Sequence, residues 1–381
     1  AQVAANLYAL DQQNRQYQLW YVSHILAASK QLGGLNKPLS RQAGGAAEIA
    51  SQAGPVVVHD VFQQALETNQ IAAAIAAAEV LATNGSPSLL DSSSGTHAPL
   101  IQALFHANRR LRFTALETIL TLDPQKPFPG SSHVSDALGY FSASRGRRTA
   151  FVGHPLLARG QFVTGLLNQA GYHAEAAPFG KSLLESVRKQ TDCDLVLISN
   201  TISRPTIGEI IQRFRDDPRT ASISIGILAD PEDLQRVTML AATDPLTEVV
   251  GRPHTVENLA FYLARLEHLR SHHHVGVEER IAQARKTLQW ATKLLGQSDQ
   301  YSFYNLFRQE PAFISAVSVP SLTRYASPIL GSMGTANSQK ALVNTASRNS
   351  LDLVSRQVAA EAFDRAVEKR RLMLNQQDIL R

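Results

Sequence analysis

From Arg147 to Leu269 the chain alternates between two kinds of apolar pattern. Short apolar runs of strand length stand at 149–153, 172–177, 194–198, 222–228 and 247–250. Near 159–170, 181–190, 206–215, 232–242 and 255–269 the apolar residues fall instead at helical spacing. Strands that alternate with helices in this way predict a parallel sheet covered on both faces. Right-handed crossovers leave few packings for such a unit, and the expected fold is a doubly wound five-stranded parallel sheet of order 2-1-3-4-5.

The flanking sequence reads as helical, so the fold class is α/β with all-α flanks. Leu7, Leu10, Tyr17, Trp20, Tyr21, His24, Ile25 and Ala28 predict one helix over 1–30, stopped by Gly33-Gly34. A Gly/Ser/Ala-rich connector follows over 35–54. Val58, Val61, Phe62, Ala65 and Leu66 predict the next helix, and Ile71, Ile75, Ala78, Leu81 and Ala82 another, broken at Asn84-Gly85. Residues 86–96 are expected to be loop, before short helices over 99–104 and 111–120. Prolines, glycines and serines crowd the stretch that follows, which predicts a linker over 126–146. Ile281, Ala284, Leu288, Ala291 and Leu295 give an amphipathic helix stopped by Gly296, with Glu278 and Glu279 at its positive end and Lys293 at its negative end. Helical spacing returns over 325–331, 339–343 and 355–371, the last with Val358, Ala362, Ala366 and Leu372 as its apolar stripe.

Two resemblances sharpen this outline. Ala98-Pro99-Leu100-Ile101, then Asn108, then Arg112-Phe113-Thr114-Ala115-Leu116 resemble a HEAT-type helix pair, with a weak echo after Tyr325. This implies HEAT-like domains over 1–125 and 275–381. Within 147–270, Leu166-Leu-Asn-Gln-Ala-Gly171-Tyr172 resembles the turn from first helix to second strand in two-component receiver domains. Asp194-Leu-Val-Leu looks like the third-strand opening of that family, and Arg252-Pro253 stands where its members carry Lys-Pro.

The receiver resemblance implies a set of functional positions outside the carboxyl ends of the strands. Receivers hold Mg²⁺ with an acidic pair after strand one and accept a phosphoryl group on an aspartate after strand three. A Ser/Thr after strand four and a lysine after strand five complete the set. Here the acidic pair falls on Gly153-His154, the acceptor on Ser199, the Ser/Thr on Leu228 and the lysine on Arg252. Mg²⁺ needs hard oxygen ligands that Gly153 and His154 do not offer. A serine hydroxyl without an activating base or metal is a poor phosphoryl acceptor. Aspartyl phosphorylation is therefore not expected. His154 and Ser199 begin a base–nucleophile pair, but no orienting acid is evident and Ser199 lacks a G-x-S-x-G setting, so no catalytic residue is assigned. What remains is a candidate anion rim of His154, Ser199, Asn200 and Arg252, whose guanidinium fork suits phosphate or carboxylate. The alternative is a relic pocket filled by solvated side chains. An Arg252 taken up by an internal carboxylate would favour that second reading.

Composition narrows the function classes. Of 381 residues, 44% are hydrophobic and 18% charged, which argues against global disorder. The net charge of +5 lies wholly in 275–381, with fourteen basic against nine acidic side chains. Without a dense basic stripe, nucleic acid is not an expected partner. No apolar run approaches the roughly 18 residues of a membrane span, so a soluble chain without membrane insertion is expected, with the cytoplasm slightly favoured. Cys193 is the single cysteine, which excludes an intramolecular disulfide, and the flanking Asp192 and Asp194 disfavour a reactive thiolate. His268 and His272-His273-His274 form a histidine-rich tract, read as a polar connection rather than a metal site. No metal and no cofactor are expected. The reading is a non-catalytic interaction or scaffold protein that binds other proteins or its own copies, with a sensor of a small anion at the rim as the alternative.

Overall fold

The computed structural model describes residues 2–91, 97–270 and 274–375. They fall into two compact units, 1–143 with 283–381, and 144–282. Among the described residues no helix is long and apolar enough to cross a membrane.

The second unit holds the sheet. Its strands are β1 (Thr149–Gly153), β2 (His173–Ala177), β3 (Cys193–Ser199), β4 (Ser224–Ala229) and β5 (Thr247–Gly251), all parallel in the order β2-β1-β3-β4-β5. The strand order and the alternation with helices agree with the sequence expectation, and the bounds differ by one or two residues. Side chains of successive strand residues point to opposite faces, so each strand feeds two cores. Phe151, Val196, Ile198, Ile225 and Ile227 meet the helices Gly180–Lys189, Ile207–Asp216 and Leu234–Ala241 on one face. Ala150, Val152, Leu195, Leu197 and Val250 meet Leu157–Gln169 and Val256–Leu269 on the other. Gly226 is needed for that second packing. A Cβ there would stand 2.6 Å from Leu197 and 2.8 Å from Val250.

The first unit is helical and departs from expectation in five places. Residues 1–30 are two helices, Gln2–Leu10 and Arg15–Gly33, because the Asn14 side chain accepts from the amides of Gln16 and Tyr17 and starts the second one afresh. The connector at 35–54 contains the helix Ala46–Ala53, and the loop at 86–96 contains a 3-10 turn over Pro87–Leu90, with 92–96 outside the described residues. The expected linker contains the helix Ser131–Ser142, whose Val134, Leu138 and Phe141 are fully buried. Their spacing is helical, and local Pro and Gly content masked it. Finally, the buried stripe of Leu353–Arg370 is Ser355, Ala359, Ala362 and Ala366. Leu372 lies beyond the helix end and is exposed.

Small residues shape the packing of this unit. The helix Ile71–Asn84 is buried almost all round by alanines, which lets Arg15–Gly33, Pro55–Glu67 and Arg109–Leu122 approach it. The Thr118 hydroxyl donates across to the Ala78 carbonyl at 2.9 Å. Gly331, on the helix Thr323–Met333, lies so close to Leu353–Arg370 that a Cβ would stand 2.7 Å from the Ala362 carbonyl oxygen. The buried Lys30 donates to Glu79 and to the Lys37 carbonyl, both at 2.5 Å, and Glu79 also accepts from the Leu39 amide at 2.8 Å.

Candidate functional site

Strand register sets the rim at the carboxyl ends. Gly153 pairs with Ile198, Ser199 with Leu228, and Ala229 with Gly251. The next residues along each strand, His154, Asn200, Asp230 and Arg252, therefore emerge at the ends of adjacent strands.

His154 is buried at 4% exposure. Its backbone amide donates to the Ala177 carbonyl at 3.0 Å, and its Nδ1 accepts from the Leu156 amide at 3.0 Å. A ring nitrogen that accepts from an N–H carries no proton, so the neutral ring is protonated at Nε2. Burial is the main cause that lowers its pKa below the ordinary value, and the nearby Arg252 and Arg159 add to it. His154 is thus a neutral ring with one nitrogen committed to the loop and the other already protonated. It is unsuited to act as a base.

Ser199 is fully buried, and its hydroxyl lies 2.9 Å from the Thr201 hydroxyl and accepts from the Thr201 amide at 3.3 Å. The side chain serves the turn after β3. Asn200, at 7% exposure, donates through Nδ2 to Asp233 Oδ2 at 2.6 Å, and its backbone amide donates to the Leu228 carbonyl at 2.9 Å. Asp233 also accepts from Arg236 at 3.1 Å. Asn200 Oδ1 is buried with no hydrogen-bond partner among the described residues.

Arg252 forms an ion pair with Asp230, Nη2 to Oδ2 at 2.5 Å. Both side chains are partly exposed, at 27% and 33%. The four rim residues named from the sequence therefore do not present a free cation with free donors. The partners, Asp230 and Asp233, were not among the rim residues named from the sequence. The signal was there in Ala229-Asp-Pro-Glu-Asp233, an acid-rich turn directly after β4. After β4, the Asp230 carboxylate neutralises Arg252 and the Asp233 carboxylate holds Asn200. Leu156 and Phe179, just past β1 and β2, are 56% and 60% exposed.

Other candidate chemistry is quiet. The Cys193 thiol is pushed far up, first by burial and then by the Asp194 charge. Among the described residues no group of three His, Cys, Asp or Glu side chains could hold a metal ion. His272 and His273 lie outside the described residues, and His274 sits against Arg270. No protein-family model, curated protein or solved structure matches this chain.

Proposed function

We propose that this is a non-catalytic interaction protein, in which the sheet unit is a receiver-like docking domain that is not phosphorylated on aspartate and the helical unit is HEAT-like protein-binding surface. The observation that carries the reading is the Arg252–Asp230 ion pair at 2.5 Å. In a rim that binds an anion, the arginine fork would be left open for the ligand. Here an internal carboxylate already occupies it, and a second anion would have to displace that carboxylate against its charge. The buried, turn-bound Ser199 hydroxyl and the neutral, committed His154 support the same reading. Exposed Leu156 and Phe179 at the ends of neighbouring strands suit contact with another protein better than with a small polar solute. The partners are other proteins or further copies of the chain.

Isothermal titration with phosphate, ATP and succinate tests this against an anion sensor. The expected outcome is no saturable binding. Binding tighter than about 100 μM that Arg252→Ala abolishes and added salt weakens would replace the docking reading with a sensor.

A further inference from the structure

Charge is divided unevenly along the carboxyl-end rim. Strand order puts β2 and β1 on one side of β3, and β4 and β5 on the other. The turns and first helical residues after β1, β2 and β3 (154–159, 178–181 and 200–209) carry Arg159, Lys181 and Arg204 against one acid, Glu209. That carboxylate is committed to its own helix start, where it accepts from the Thr206 amide and hydroxyl at 2.7 and 2.9 Å. The stretches after β4 and β5 (230–234 and 252–257) carry Asp230, Glu232, Asp233 and Glu257 against Arg252. Arg159, Arg204 and Glu232 are exposed and make no hydrogen bond or ion pair with a described residue. The Lys181 side chain is 81% exposed, with Glu185 4.0 Å away.

Apolar side chains stand among these charges. Leu156, Leu157 and Phe179 are more than half exposed on the basic side, and Leu234 is exposed on the acidic side. Close packing holds the basic turns side by side. A Cβ on Gly160 would stand 3.3 Å from the Ala176 Cβ, and one on Gly180 2.9 Å from Pro205. Such a surface, apolar with charges around it, is suited to a protein partner, and its charge distribution complements itself. The helices after β1 and β5 cover one face of the sheet, and those after β2, β3 and β4 cover the other. A two-fold axis normal to the sheet at β3 lays the basic side of one copy on the acidic side of the next, each face over its like. Arg159 then comes over the partner's Glu257, and Lys181 over the partner's Glu232, each pair formed twice. A two-fold axis along the row of strands would instead set like charges together.

We propose that the carboxyl-end rim is a homodimer interface, through which two copies of the chain meet end to end about a two-fold axis normal to their sheets. The proposal rests on the docking reading and names its partner as a second copy.

Sedimentation equilibrium of the full chain tests it. A dimer with a dissociation constant below about 50 μM is expected. Phe179→Glu alters an exposed side chain and is expected to keep the circular-dichroism spectrum of the parent while weakening the dimer at least about tenfold. Lys181→Glu and Glu232→Lys each bring like charges together twice in their own homodimers and are expected to weaken association at least about threefold. An equimolar mixture of these two variants restores both pairs and should dimerise as tightly as the parent. A chain that stays monomeric to about 200 μM overturns the proposal. So does a dimer that folded Phe179→Glu leaves unchanged, or a mixture that associates no more tightly than either charge variant alone. Saturable binding of phosphate, ATP or succinate at Arg252 removes the docking reading itself, whereas a monomer without such binding removes only the second copy as its partner.

Discussion

Asp194 holds Arg270 and Arg280 through one carboxylate oxygen, so removing it leaves two guanidinium groups buried without their counter-charge. Asp194→Ala is expected to cost about 3–5 kcal/mol in urea unfolding. Arg252→Ala breaks a partly exposed pair and is expected to cost less than about 1 kcal/mol. Similar losses for the two variants would show that the arginines find other acceptors. His154 gives a pH signature at the same scale. Its folded pKa lies below the ordinary 6.5, so the unfolded chain takes up the proton first as pH falls. The stability is complete above about pH 6.5 and declines as pH drops towards the folded value, by at most about 1.4 kcal/mol per pH unit. His154→Gln should flatten that part of the stability–pH profile, and an unchanged slope would assign the titration to other groups.

At the scale of elements, the helix Ser131–Ser142 decides whether 126–146 is linker or core. Phe141 is 1% exposed and packs edge-on against Phe113 at 5.1 Å between ring centres. Phe141→Ala is expected to cost about 3–5 kcal/mol by chemical denaturation, as for a core aromatic. A linker position would cost under about 0.5 kcal/mol. The contact of Thr323–Met333 with Leu353–Arg370 is a second case. Gly331→Val brings a branched side chain against the Ala362 backbone, which cannot rotate away, so the helices must separate. A melting temperature equal to the parent's would show that this contact is looser than 2.7 Å implies. Phe363, on Leu353–Arg370, is only half-buried, so a charge there costs less than one at the buried Leu116.

For the whole molecule the test is chemical. Incubation of the full chain with acetyl phosphate and Mg²⁺ should leave its mass unchanged, because β3 ends on a buried serine and the acids at the rim, Asp230 and Asp233, are already paired. A base-labile phosphoryl adduct mapped to Asp230 or Asp233 would mean that the turn after β4 had taken over the acceptor role. The docking reading would then give way to a rearranged receiver.

The sheet unit was legible because its information is local and periodic. The residues of β3 and β4 are almost all buried, as strands covered on both faces require, and helical spacing between them announces the crossovers. Chirality and connectivity then leave only a few strand orders, the observed one among them. Asn84-Gly85 and Gly296 likewise marked helix ends from composition alone. Pairings between remote residues had no such signature. Arg252 was visible as a candidate anion ligand, but only β4–β5 register brings Asp230 beside it. Asp194 meets partners 76 and 86 positions away. Helix Ser131–Ser142 sits in a stretch that composition marks as linker, and only the packing of its apolar face made it part of a core. Backbone pattern is a property of neighbours in sequence and can be read there. Charge pairing, burial and close approach belong to neighbours in space, and folding alone determined which residues those would be.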